Sequence, residues 1–454
     1  MSISPARAAA FDILLRIEQQ DAYASELLHS SQYEKLSPVD HGLATELAMG
    51  VLRWRSRMDD EISRFSAKGV EKLDLEVLTA LRLGAYQLLF LDRMPERAAV
   101  HESVELVKRA RKKSAVPFAN AVLRKMAAST VEDTAQDRKI ETIGPESSAE
   151  MAQKLAHPLW LTERWVRAFG LDGARETCRY DQHSPQTAIR LAGPALEAEL
   201  RQNGVDFAPG HLLASARRVR AGSVPRTRAF AEGRVAIQDE ASQLVGLLVG
   251  RGSNILDCCA APGGKTRILA ERNPDANIVA LELHPHRARL LRKLVPAKNV
   301  RVMHSDVREF AADNAIFDRI LVDVPCSGTG TLAHNPEIKW RLKPQDLADL
   351  QARQLAILHS SMRHAAAGAR LVYSTCSLER EENEGVVEKA LANEPSFHLI
   401  DCRSELERLR AEGELAWEDI DSLVRGPFVR TIPGVHACDG FFAAILQKSQ
   451  ATYG

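Results

Sequence analysis

From about residue 236 onward, short apolar runs recur along the chain: Ile255-Leu256, Ile278-Val-Ala-Leu281, Val300 to Met303, Ile320-Leu-Val322, Leu371-Val-Tyr373 and Phe441 to Leu446. Helical segments lie between most of them. Alternation of this kind predicts a mostly parallel sheet with helices on both faces, joined by right-handed crossovers. Ligands then bind outside the carboxyl ends of the strands.

At 454 residues the chain exceeds one ordinary core, so several domains are expected. Residues 1–128 read as an all-helical bundle. Phe11, Leu14 and Leu15 give one apolar stripe, and Leu43, Leu47, Val51, Trp54, Met58 and Ile62 recur at three- and four-residue spacing, as do Leu78, Leu81, Ala85 and Leu88. Residues 129–150 are polar and acidic and predict a linker. Residues 151–235 are mixed and predict a small α+β module: helix at Trp160–Phe169 and Ala195–Arg201, extended chain at Thr187–Leu191 and Arg234–Ile237. Residues 236–450 form the α/β domain.

The formal net charge is +0, so any nucleic-acid surface must be local. One candidate is the run Lys108, Arg109, Arg111, Lys112, Lys113, Arg124 and Lys125, with no acid from Leu106 to Thr130. A solvated helix face explains such a run as well as a phosphate-contacting patch does. Seven cysteines, an odd number with two adjacent, argue against a disulfide framework and for the reducing cytoplasm. No CxxC pair or HExxH is present, so no metal site is expected. Neither a signal peptide nor a membrane span is expected, and the chain is expected to be a monomer.

The chemistry concentrates at the strand ends. The first strand ends in Asp257 and runs into Cys258-Cys-Ala-Ala-Pro-Gly-Gly-Lys-Thr266, a small-residue turn that lets the backbone approach a ligand closely. It is neither a P-loop nor a GxGxxG turn. The next strand ends in Glu282, about 25 residues on, where an acid accepts ribose hydroxyls. Asp306 follows the third strand and could accept a proton from an adenine amino group. Each acid alone is explained equally well as a helix N-cap. Three at successive strand ends describe an adenosine-containing cofactor.

The fourth and fifth strands each deliver a cysteine: Asp323-Val-Pro325-Cys326-Ser-Gly-Thr-Gly330 and Ser374-Thr375-Cys376-Ser377. A lone cysteine is more often a buried small hydrophobe, but two at the ligand edge suit pyrimidine methylation. Carbon 5 of a pyrimidine is a poor nucleophile. A thiolate added to carbon 6 makes carbon 5 enamine-like and able to take a methyl from a sulfonium. A carboxyl group such as Asp323 can hydrogen-bond nitrogen 3 and offset the developing charge. Spacing alone does not rank the two thiols.

Asp-x-Pro-Cys-Ser-Gly, Ser-Thr-Cys-Ser, the Cys-Ala-Ala-Pro-Gly-Gly-Lys loop, Gln238-Asp-Glu-Ala-Ser242 and Asp439-Gly-Phe-Phe442 resemble the Nol1/Nop2/Sun family of RNA cytosine-5 methyltransferases. The N-terminal bundle resembles the NusB-type RNA-binding domain. The resemblance covers nearly the whole chain. It implies a Rossmann-like methyltransferase fold, S-adenosyl-L-methionine as cofactor and 16S ribosomal RNA as partner. Cys259, Ala260, Ala261, Pro262, Gly263, Gly264, Lys265, Glu282, Asp306 and Asp323 would line the cofactor site. Cys376 would be the nucleophile, Asp323 a catalytic carboxyl group and Cys326 the product-release cysteine. The family usually has Asp where this chain has Glu282, and often Ala where it has Val324. Glu is one methylene longer and can make the same bidentate contact.

Two other functions compete. A DNA cytosine-5 methyltransferase would use Cys326 as attacker, which the second cysteine motif and the helical N-terminal region oppose. A non-catalytic RNA-binding factor with a degenerate domain is opposed by the presence of both cysteines, Asp323 and the whole glycine loop.

Overall fold

A computed structural model describes residues 3–20, 22–28, 30–33, 35–92, 94–132, 147–191, 193–311 and 317–450. The chain folds into two compact units. The first comprises Met1–Ser184 with Leu332–Arg341, and the second Pro185–Thr331 with Leu342–Gly454.

The first unit is helical. The periodic stretch from Leu43 to Ile62 is two helices, Pro38–Arg53 and Arg55–Phe65, meeting at Trp54. Ser37 caps the former, its side chain accepting from the Asp40 amide, and Pro38 occupies the first turn, where its missing N–H costs nothing. Leu75–Phe90 and Glu96–Arg109 follow, and Ile13, Leu47, Met58, Ile62, Leu81, Leu83 and Leu106 are fully buried between the helices. Of the expected linker, residues 133–146 lie outside the described residues; helix Val116–Glu132 runs into it, and helix Ser148–Lys154 begins inside it. Helices Ser148–Lys154 and Leu159–Asp181 belong to this unit. So does the segment 332–341, which the chain reaches just after its Pro-Cys motif. There Glu337 Oε1 accepts from the Ala24 amide at 2.9 Å, Arg53 Nη2 donates to the Ala333 carbonyl at 3.0 Å, and Trp340 Nε1 donates to the Leu52 carbonyl.

The basic run is less free than its sequence suggests. Lys108 pairs with Glu105 at 2.6 Å, Arg109 with Asp12 at 2.6 Å, and Lys112 with Asp74 at 3.1 Å and Glu76 at 3.4 Å. The run contains no acid, but neighbouring helices supply three of these four. Arg111, Lys113, Arg124 and Lys125 stay exposed.

The second unit opens with a four-stranded antiparallel sheet of β1 (Ala188–Arg190), β2 (Asp206–Pro209), β3 (Ala216–Ala221) and β4 (Ala236–Ile237), in the order β2-β3-β1-β4. Nine further strands follow: β5 (Asn254–Asp257), β6 (Asn277–Glu282), β7 (Val300–His304), β8 (Phe317–Asp323), β9 (Ala365–Thr375), β10 (Phe397–Ile400), β11 (Val424–Arg425), β12 (Phe428–Arg430) and β13 (Phe442–Lys448). They form one sheet among the described residues, ordered β11-β12-β13-β9-β8-β5-β6-β7, with β10 beside β13. β5 to β9 are mutually parallel, whereas β10 to β13 add antiparallel pairings. Every apolar run named above falls on one of these strands, except that Phe441 lies just before β13.

The runs are continuously apolar because both sheet faces are covered. Ile255, Ile278, Leu321, Val372 and Ile445 point to one core with Leu244, Ile268, Leu269 and Leu406 from helices. Leu256, Val279, Ile320, Val322, Leu371 and Tyr373 point to the other, with Ile357, Leu358, Val386 and Val387. The chain moves outward from β5 to β6 and β7, then returns to place β8 on the other side of β5. This reversal opens a crevice between the loops after β5 and β8, the ordinary ligand position of a doubly wound sheet.

Candidate active site

The loop after β5 is tied to both neighbours. The Cys258 amide donates to the Leu321 carbonyl of β8, and the Ala260 amide to the Leu281 carbonyl of β6, each at 2.9 Å. Gly263 has φ +116, a left-handed conformation that favours glycine, and starts the helix Gly264–Arg272. A Cβ there would lie 2.6 Å from Val295 and 2.7 Å from Leu291; at Gly264 it would meet the Gln238 amide at 2.9 Å. The loop therefore keeps its backbone bare, and beside it lies a cavity of about 230 Å³. Cys259 to Lys265, Asp257, Asp323, Ile237, Gln238 and Ser242 are among its lining residues. Glu282, Asp306 and the two strand-end cysteines are not.

Asp257 is buried at the cavity. Its Oδ2 accepts from Thr266 Oγ1 at 2.7 Å, while Oδ1 makes no hydrogen bond among the described residues. Burial pushes its carboxyl up to about 7, with the Thr266 hydroxyl opposing the shift. At the tip of β6, Glu282 is buried and accepts from the His284 amide at 2.8 Å. Its strand neighbour in β7 is His304, so Asp306 follows two residues beyond the adjacent strand position. Asp306 accepts from the Arg308 amide at 2.8 Å and from its guanidinium, which holds the carboxyl below its usual range. A bare glycine turn, a buried acceptor lacking a donor and acids at two successive strand tips fit a nucleoside-bearing cofactor. To use both Asp306 oxygens such a cofactor must displace the Arg308 guanidinium.

β8 and β9 bring the remaining groups together. Asp323 lies beside Ser374 in parallel register. Its Oδ2 accepts from Lys265 Nζ at 2.8 Å and its Oδ1 from Ser374 Oγ at 2.7 Å. The glycine loop and the two cysteine strands thus share one carboxylate. Three residues on, Cys326 Sγ lies 3.2 Å from Cys376 Sγ. The contact with Cys376, then burial, pushes the Cys326 thiol well above its usual range. Cys258 and Cys259 are driven up too, by burial.

Glu382 was not foreseen. It is fully buried after β9. Its Oε1 accepts from the Ser327 amide at 2.7 Å and from Gln354 Nε2 at 2.8 Å, and its Oε2 accepts from the Ser327 and Ser377 hydroxyls. Each serine directly follows a strand-end cysteine, so one carboxylate pins both cysteine loops. The family-like motifs elsewhere support the same region. The Gly440 amide donates to the Gly330 carbonyl at 2.7 Å, joining the Asp-Gly-Phe-Phe segment to the Cys326 loop. Asp239 caps the helix Glu240–Leu248 and accepts from the Asp439 amide at 3.2 Å. Among the described residues no group of three or more His, Cys, Asp or Glu could hold a metal ion, and no helix is long and apolar enough to cross a membrane.

A doubly wound sheet with a glycine turn at its reversal point and acids at its strand tips defines a Rossmann-like methyltransferase. The chain belongs to the 16S rRNA methyltransferase RsmB/F family, whose model matches residues 247–447. Residues 4–128 match the NusB family. The chain is 32% identical to the probable ribosomal RNA small subunit methyltransferase B of Bacillus subtilis, over 99% of this chain and 100% of that protein. It is 31% identical to ribosomal RNA small subunit methyltransferase B of Klebsiella pneumoniae, over 97% and 98%. A solved methyltransferase homologue from Pyrococcus horikoshii is 27% identical with a TM-score of 0.55, covering 67% of this chain and 99% of that one.

Proposed function

We propose that this protein methylates carbon 5 of a cytosine in small-subunit ribosomal RNA through a covalent adduct with Cys376. The observation that carries the proposal is the pair of thiols 3.2 Å apart, three residues from a carboxylate held by Lys265 and Ser374. The names of the full-length relatives supply the substrate class. In this reading the domains divide the work: residues 1–128 bind RNA and residues 236–450 carry the chemistry, while of the segment 151–235 the part up to Ser184 belongs to the helical unit and the part from Pro185 to the second unit.

S-Adenosyl-L-methionine bound in the crevice would supply an electrophilic methyl group. Cys259 to Lys265 would line its binding surface, Glu282 would accept the ribose hydroxyls and Asp306 the adenine amino group. The Cys376 thiolate adds to carbon 6 of the cytosine, forming a carbon–sulfur bond and moving the double-bond electrons towards carbon 5 and nitrogen 3. For Asp323 to assist, its carboxyl group must donate a proton to nitrogen 3 as carbon 6 is attacked; the negative charge then rests on the carboxylate held by Lys265 and Ser374. Once carbon 5 carries the methyl group its proton passes to a base, here the Cys326 sulfur as thiolate; the double bond re-forms, and the carbon–sulfur bond breaks to return the Cys376 thiolate. In this reading Cys326, whose Sγ lies 3.2 Å from Cys376 Sγ, serves that release rather than the attack. The target base must leave its stack to reach either thiol, which favours a loop.

The test is a denaturing gel with labelled RNA. Cys376→Ala is expected to be inactive and form no adduct. Cys326→Ala is expected to methylate once and accumulate an adduct. The reverse pattern would make Cys326 the attacker.

A further inference from the structure

We propose that the surface formed by the helix Pro285–Leu294 and the following edge strand β7 is a second RNA-binding surface, which grips the phosphate backbone within the methyltransferase unit. This rests on the substrate reading above and adds to it a contact surface that the N-terminal basic run does not provide.

From Leu283 to His304 the chain carries Arg287, Arg289, Arg292, Lys293, Lys298 and Arg301, three histidines and no acid. All six cations are exposed. The helix buries only Ala288 and Leu291 against the sheet. β7 pairs with β6 alone and forms one end of the sheet, so Arg301 projects from an open edge.

The clustering of unpaired cations sets this face apart. Several helical arginines elsewhere pair with acids three or four residues away: Arg175 with Asp172, Arg228 with Glu232, Arg267 with Glu271, and Arg408 with Glu405 and Glu412. On Pro285–Leu294, Arg289, Arg292 and Lys293 stand at those spacings with like charge, which destabilises an isolated helix. None of the six forms an ion pair among the described residues; Arg292 donates only to the Val302 carbonyl. The net charge of the protein is +0, so this excess is local. The contrast with the N-terminal run is direct, because there Lys108, Arg109 and Lys112 are already committed to acids.

The same face offers more than charge. Leu283 and Leu290 are 50% and 45% exposed, and the His284 and His286 rings lie 5.8 Å apart at its start. Cations interleaved with flat or apolar side chains suit single-stranded RNA, where phosphates meet the cations and unstacked bases cover the rings.

The experiment uses the full chain and a 16S ribosomal RNA transcript. Arg289→Gln, Arg292→Gln and Lys293→Gln are combined, and RNA affinity is measured across a salt series beside Arg111→Gln with Lys113→Gln. The helix variant is expected to bind at least about tenfold more weakly, with the log–log salt slope reduced by roughly 2, since each single-strand phosphate contact contributes about 0.7. If that variant does not fold, Arg287→Gln with Arg301→Gln tests the same surface, and its slope should fall by roughly 1.4. Unchanged affinity and slope would overturn the proposal. So would loss of binding to phosphatidylglycerol vesicles with RNA affinity intact, which would make the surface a membrane contact. Methyl transfer by the unmodified protein to the same transcript reports separately on the substrate reading. If it fails, that reading fails; if it succeeds while the variants bind normally, only this surface is wrong.

Discussion

A buried carboxylate without a cation is costly unless its lone pairs are filled. Glu382 fills them with four donors, and three of these come from the serines that follow the two cysteines. Its hydrogen bonds therefore fix the separation of the thiols. Glu382→Gln keeps the shape but turns two acceptors into one acceptor and one donor, which then faces the Gln354 amide or the serine hydroxyls. Losing hydrogen bonds to a charged group costs about 1.5–3 kcal/mol, so adduct formation is expected to slow roughly 10- to 100-fold. Cofactor affinity should not change, because Glu382 does not line the cavity beside the glycine loop. Rapid quenching of the adduct and calorimetry with the cofactor separate the two effects. An adduct rate equal to that of the unmodified protein would leave Glu382 as ordinary core.

At the scale of elements, the two cysteine loops hold their positions through close backbone packing as well as hydrogen bonds. A Cβ on Gly330 would sit 2.1 Å from the Gly440 carbonyl oxygen, a backbone atom that cannot rotate aside. Gly330→Ala must displace the Cys326 loop or the Asp-Gly-Phe-Phe segment, and overpacking of this kind costs about 1–3 kcal/mol. We expect a lower melting temperature and at least about a tenfold loss of methyl transfer; unchanged turnover would mean that the loop tolerates the shift. The strands themselves were legible because their apolar runs are buried on both faces. The glycine turn and strand-tip acids were legible because a parallel sheet puts such residues at one edge. β2, β3, β10 and the β11–β12 pair were not; segments such as Arg217-Arg-Val-Arg220 hide their apolar positions among charges. Glu382 was hidden for a related reason. It stands in Glu379-Arg-Glu-Glu-Asn-Glu384, a run that looks like a solvated helix start, and no pattern within it marks which acid turns inward.

For the molecule as a whole, the least legible feature is the allocation of residues 332–341 to the helical unit. The segment Leu332-Ala-His-Asn-Pro-Glu-Ile-Lys-Trp-Arg341 follows a strand-end loop and looks like the continuation of the α/β domain. Its hydrogen-bond partners Ala24, Arg53 and Leu52 lie 280 to 313 residues away along the chain, which periodicity does not reach. One of its residues gives the helical unit a measurable signature. Lys339 is fully buried, and its Nζ makes no hydrogen bond among the described residues. Burial pushes the ammonium down to about 7; the charges facing it are Asp181 and Cys178, which oppose the shift, and Arg53, which adds to it. An unfolded lysine titrates near 10.4. Between those values the unfolded chain binds more protons, so this group makes stability rise with pH, by at most about 1.4 kcal/mol per unit. The contribution is present in full above the unfolded value and is lost as pH falls through about 7. Lys339→Met removes the titrating group while keeping an unbranched apolar stem of similar length. The difference in unfolding free energy between the two proteins, measured by denaturant titration from pH 6 to 10, should therefore slope with pH, the unmodified chain gaining on the variant as pH rises. A difference that stays constant over that range would mean that Lys339 keeps its proton in the folded protein and that burial does not lower it.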